Sequence, residues 1–134
     1  METLRLAIVG SRSLDKDPTA LAVVVATIEH YHTHHPRLIV VSGGAIGIDR
    51  IAIAEARRLG IGVFEYLPSG RGWRHYRARN LRIAHDCNRL IRIVDSRSRT
   101  YGSGWTRDRA RELGKPTVEY VIDTTHRRIL RGQS

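Results

Sequence analysis

Five short apolar runs rich in β-branched residues recur along this chain, at residues 4–9, 38–41, 61–67, 90–94 and 117–122. The stretches between them carry helix signals. Asp17-Pro18 is an N-cap followed by proline at the first helical position, opening a helix at 21–31. Ile51, Ala52, Ala54, Ala56 and Leu59 fall at helical spacing over 49–59, and Gly60 suits the position just past the end. Further helices are predicted at 73–87 and at 105–113, the latter closed by Gly114 and Pro116. Strands alternating with helices mean βαβ units and a parallel sheet. Continuous apolar runs mean that both faces of that sheet are covered. The expected fold is a single Rossmann-like, three-layer α/β domain with a five-stranded parallel sheet in the order 3-2-1-4-5. At 134 residues the chain has room for one core. The domain is expected to span 1–123, with 124–134 a basic C-terminal tail.

In such sheets ligands bind beyond the carboxyl ends of the strands. Three segments leaving strands are small and Gly/Ser-rich. The first is Gly10-Ser11-Arg12-Ser13, and the second Ser42-Gly43-Gly44-Ala45-Ile46-Gly47-Ile48-Asp49. The third is the polar loop of residues 95–104, ending Tyr101-Gly102-Ser103-Gly104. Unhindered backbone N–H groups before a helix are what a phosphate needs. The pattern is neither a dinucleotide fingerprint nor a Walker A loop, because Gly10 is not followed by G-x-x-G and no glycine precedes Lys-Ser/Thr. The reading is a phosphate-bearing ligand, a nucleotide or nucleotide derivative, in a cleft lined by these loops.

The motifs in order resemble the SLOG superfamily, which includes DprA (Smf), the LOG phosphoribohydrolases and small YspA-like proteins. Ala7-Ile8-Val9-Gly10-Ser11-Arg12 is similar to its opening strand. Ser42-Gly43-Gly44-Ala45-x-Gly47-x-Asp49 resembles the DprA and YspA-like second-strand motif, and Arg79-Asn80 their Arg-Asn pair. The segment from Gly102-Ser103-Gly104 to Gly114-Lys115-Pro116 is similar to the fourth loop and helix. The resemblance covers nearly the whole chain, and the YspA-like branch fits best in length. It implies nucleotide binding, with DprA-like single-stranded DNA binding or LOG-like N-glycosidic hydrolysis as alternatives. Ile46 stands where DprA proteins carry Arg. The catalytic Glu position of the LOG motif falls on Arg109 or Thr106.

Chemistry at such a site, if there is any, would be hydrolysis of an N-glycosidic or phosphate bond. Asp49 or Asp108 would be the acid/base and Arg79 would stabilise negative charge. Asp49 could equally bind a ribose hydroxyl or serve the helix dipole. Arg79 is expected to clamp phosphate and Asn80 to read a base edge or fix a loop. Trp73 and Tyr76 could stack on a base, although packing against the sheet explains them as well. The net charge of +10, almost all from Arg, fits an anionic partner or a genome biased toward Arg. His30, His32, His34 and His35 cluster near a helix C-terminus, where cations are favoured, so no metal is expected, and no cofactor. Cys87 cannot pair internally, Met1 to Arg5 lacks a signal-peptide pattern, and no apolar run reaches membrane-spanning length. A cytoplasmic homo-oligomer, dimer or larger, without membrane contact is the expectation.

Overall fold

In a computed structural model, residues 2–98 and 101–133 are described. Strand β1 (Leu4–Gly10) is followed by a single 3-10 turn at Arg12–Leu14 and helix α1 (Pro18–His34). Next come β2 (Leu38–Ser42), α2 (Ile48–Arg58), β3 (Gly62–Glu65) and α3 (Trp73–Asp86). The chain ends with β4 (Arg89–Asp95), α4 (Tyr101–Glu112), β5 (Thr117–Asp123) and β6 (Arg128–Gln133). The sheet order is β3-β2-β1-β4-β5-β6. The first five strands are parallel in the expected order, and β6 adds an antiparallel edge against β5. Most of the expected tail is therefore sheet.

Two-residue alternation along β1 sorts the core between two faces. Leu6 and Ile8 face α1 and α2, where they meet Val24, Ile28, Ile48 and Ala52. Ala7 and Val9 face the other way, where Ile83 and Ala84 of α3 and Ala110 of α4 close over them with Leu90. Asp17 caps α1 as its sequence implies, accepting a hydrogen bond from the Ala20 amide at 2.8 Å. The three-residue run Val23–Val25 is poor for helix propensity but tolerated, because Val23 and Val24 are buried against the sheet. Among the described residues, no helix is long and apolar enough to cross a membrane.

Helix α4 begins at Tyr101, so Gly102, Ser103 and Gly104 form its first turn rather than the end of a loop. A buried ion network fixes that turn. Arg92 on β4 lies opposite Glu119 on β5 and donates to its Oε2 at 2.9 Å, and Arg107 of α4 reaches the same oxygen at 2.5 Å. The Arg92 Nε–H also donates to Ser103 Oγ at 3.0 Å. A Cβ at Gly104 would stand 3.4 Å from the Arg92 guanidinium, so the small residue leaves that group its place.

Candidate functional site

Strands β1, β2 and β4 deliver their following segments to one edge of the sheet, where a cavity of about 500 Å³ opens. Its floor is Val9, Gly10 and Ile83. Arg12, Ser13, Ala45 and Asp49 line it from the segments after β1 and β2. Helix α3 contributes Trp73, Tyr76, Arg79 and Asn80, and the β4–α4 side contributes Ser98, Gly102, Ser103 and Thr106.

Asp49 enters at the start of α2 and is nearly buried. Its Oδ2 accepts a long hydrogen bond from the Ala45 amide at 3.4 Å. Burial pushes its carboxyl from 3.8 up to about 6, against the opposing pull of Arg79, the Ala45 and Gly43 amides, and Arg12.

Arg79 is 8% exposed. Its Nε–H donates to Asn80 Oδ1 and its Nη1 to the Gly43 carbonyl, both at 2.6 Å. These bonds fix the fork, and Nη2 has no hydrogen-bond partner among the described residues. Burial lowers the Arg79 pKa, with Asp49 opposing and Arg12 adding to that shift. The Asn80 amide nitrogen likewise has no hydrogen-bond partner among the described residues. It lies 3.5 Å from where a Cβ of Gly102 would stand, so glycine keeps this approach open. Arg12 is exposed at the rim.

The glycines of the second loop support the cavity more than they line it. A Cβ at Gly43 would meet Arg79 Nη1 at 2.6 Å, and one at Gly44 would meet Glu65 Oε1 at 2.6 Å. Gly47 has φ 99° and packs on the Ser11–Arg12 backbone, and its N–H donates to Asp15 Oδ1 at 3.0 Å. Ser42 and Ser11 are buried inside the turns. Ser42 Oγ–H donates to the Asp49 carbonyl and Ser11 Oγ accepts from the Asp95 amide. Asp95 is itself held by Ser13 Oγ–H at 3.1 Å.

Of the residues expected at the site, Gly10, Arg12, Ala45, Asp49, Arg79, Asn80, Gly102 and Ser103 line the cavity. Ser11, Ser42, Gly43, Gly44, Gly47 and Gly104 stand behind it. Asp108 is off it altogether. This residue sits half-exposed on α4, paired with Arg107 at 3.0 Å, so it is not placed to act as an acid there. Ser13 and Ser98 line the cavity from two of the loops expected there, although neither was singled out, while Val9, Ile83 and Thr106 were not expected among its lining. Trp73, Tyr76, Asn80 and Ile83 share one face of α3 at helical spacing, and that periodicity is the signal that could have found Ile83. Trp73 packs edge-on against Trp105 of α4, ring centroids 5.6 Å apart, and Arg79 lies over the Tyr76 ring at 5.7 Å.

The histidines lie elsewhere, around the end of α1. His30 and His34 have ring centroids 4.6 Å apart, and His34 Nδ1 is 2.8 Å from the His30 carbonyl. Among the described residues no group of three His, Cys, Asp or Glu side chains is placed to hold a metal. Cys87 is buried in the α3-side core.

Known families decide the lineage. The family described as DNA recombination-mediator protein A matches residues 1–95. The chain belongs to that family. With it the chain falls in the SLOG superfamily. The matched span ends at Asp95 and so includes every cavity residue but those from Ser98 onward. Solved structures similar in fold include DNA processing protein A (DprA) from Streptococcus pneumoniae, at 24% identity and TM-score 0.72. That match covers 90% of this chain but 50% of the other, so this chain spans half the length of that relative. The molybdenum cofactor carrier protein MCP from Chlamydomonas reinhardtii matches at 18% identity and TM-score 0.67, covering 88% and 76% of the two chains. The structural-genomics target TM1055 matches at 18% identity and TM-score 0.61, covering 86% and 72%. No curated protein sequence matches the chain.

Proposed function

We propose that the cavity binds a nucleotide or a nucleotide-derived molecule through its phosphate. The observation that carries this reading is the joint placement of two guanidiniums, one buried and fixed by its own hydrogen bonds, with two aromatic rings on one cavity. Arg presents a planar fork that suits phosphate oxygens, and aromatic faces suit a base. A cavity of about 500 Å³ is also the right size for such a ligand. The DprA match and the carrier-protein match concern proteins named for DNA and for a molybdenum cofactor, and a phosphate-bearing ligand is compatible with either. A thermal-shift panel of nucleotides tests the reading. Ligand at ~100-fold over Kd should add about 2.7 kcal/mol of stability. No shift from any nucleotide at low salt would refute it.

A second reading, single-stranded DNA, is favoured by the family and by the surface next to the cavity. There Trp105 carries Arg109 over its ring at 5.0 Å and meets Trp73, which lines the cavity. Bases of a strand could stack along this seam while phosphates meet the arginines. Counterion release predicts a log–log salt slope of ~0.7 per neutralised phosphate on single strands. Binding that survives physiological salt and outcompetes a mononucleotide supports the strand. Binding that disappears there, while the mononucleotide still binds, leaves the small-ligand reading. If the site is also hydrolytic, the work falls to Asp49, the one carboxylate among the described lining residues. Release of free base or phosphate from nucleoside monophosphates, lost in Asp49→Asn, would show it.

A further inference from the structure

The charges on the cavity wall are few enough to count. Among the described lining residues Arg12 and Arg79 are cationic, Asp49 is the carboxylate, and Tyr76 is the remaining titratable group. Three further carboxylates lie near the loops that hold Asp49, and none is among the described lining residues. Asp15, from the segment after β1, accepts the Gly47 N–H. Glu65, at the end of β3, lies against Gly44. Asp95, at the end of β4, is held by Ser13 and the Arg97 amide. With Asp49 ionised, the wall therefore offers one net positive charge.

Resting on the nucleotide reading above, we propose that Asp49 sets the charge the cavity accepts, selecting a singly charged phosphodiester and admitting a phosphomonoester only together with one proton. A phosphodiester carries one negative charge at all ordinary pH values and balances the wall as it stands. A phosphomonoester carries nearly two above its second pKa of ~6. Its second charge meets the Asp49 carboxylate, which is held nearly buried in the cavity wall, where like charges repel more strongly than in water. The least costly complex then holds a proton, on Asp49 or on the phosphate. Asp49 is built for that exchange. Burial already holds its carboxyl near 6, and an anion drawing on Arg79 and Arg12 removes two of the groups that keep it ionised.

The test compares nucleoside 5′-monophosphates with the same compounds capped by a single methyl ester on the phosphate. Binding to the full chain is followed by calorimetry between pH 6 and pH 8.5 in buffers of different ionisation enthalpy. The monoester should lose affinity about tenfold per pH unit above ~6 and take up close to one proton near pH 8. The methyl ester should bind with a much weaker pH dependence and take up well under one proton near pH 8. Asp49→Asn should flatten or reverse the monoester's dependence and tighten its binding near pH 8. Should that variant fail to fold, the proton count on the wild type still decides. Monoester and methyl ester binding equally well, with no proton uptake, overturns the proposal while leaving the nucleotide reading intact. If neither compound binds at any pH, with any base, both readings fall.

Discussion

Replacing Asp49 with Asn should make the protein more stable at alkaline pH and leave it nearly unchanged in acid. The carboxyl is buried, and its pKa rises from 3.8 in the unfolded chain to about 6 in the fold. The folded state thus holds this proton more tightly than the unfolded state does. The stability it contributes is complete below pH ~4 and is lost as pH rises through ~6. A shift of about two units corresponds to roughly 3 kcal/mol. Asn is the neutral isostere and keeps an oxygen for the Ala45 amide. Near pH 8 the variant should therefore exceed the wild type by up to about 3 kcal/mol, or about 10 °C in Tm for a domain of this size. Near pH 4 the two should agree within about 1 kcal/mol. Thermal and urea unfolding across that range measure both curves. If the curves run parallel, or if Asn destabilises the fold equally at both ends, Asp49 is not a strained buried charge and the electrostatics assigned to the cavity are wrong. Such strain is common where a binding site demands a charge that the fold would shed.

Three further outcomes follow from the geometry. Glu119→Ala should cost about 3–5 kcal/mol in urea unfolding, because it leaves Arg92 and Arg107 facing each other beneath α4. A loss under 1 kcal/mol would show that the network is solvated. Gly47→Ala should cost at least about 2 kcal/mol, since φ 99° is hostile to a side chain and its Cβ would collide with the Ser11 carbonyl. A near-neutral result by thermal unfolding would mean the second loop readily rearranges. Arg79→Met should abolish nucleotide-induced thermal shifts while Arg71→Met, on the exposed approach to α3, should not. Equal losses in both would point to diffuse charge.

Strands β1, β2, β4 and β5 were legible because burial on both faces writes a continuous apolar run. The edge strands were harder. β3 was recognised but drawn too long, since most of Gly62–Glu65 is exposed. β6 was read as a tail because Arg128–Gln133 mixes charged, apolar and small residues with no clean alternation, and Ile129 and Leu130 are both about half exposed. Its stability comes from pairing with β5, which no local pattern records. The start of α4 was placed four residues late, at Trp105, because two glycines in its first turn lower helix propensity. Arg92 holds that turn from outside, through Ser103. At the cavity, the strand-to-helix logic pointed to Asp49, Arg79 and Asn80, which the fold brings together on its wall. The small residues of the second loop were read as a phosphate cradle. In the fold their smallness admits Arg79, Glu65 and the Ser11–Arg12 backbone, contacts made by residues far away in sequence.

The most direct measurement is a nuclear magnetic resonance titration of ¹⁵N-labelled protein with a nucleoside monophosphate at physiological salt, reading three side-chain signals. These are the Trp73 indole N–H, the Asn80 amide and the Arg79 Nε–H, all on α3 and all at the cavity. They should move together along one saturating, single-site curve, and Arg79→Met should remove the response of the other two. Shifts confined to exposed arginines, unsaturated and erased by salt, would contradict a nucleotide site in this cavity.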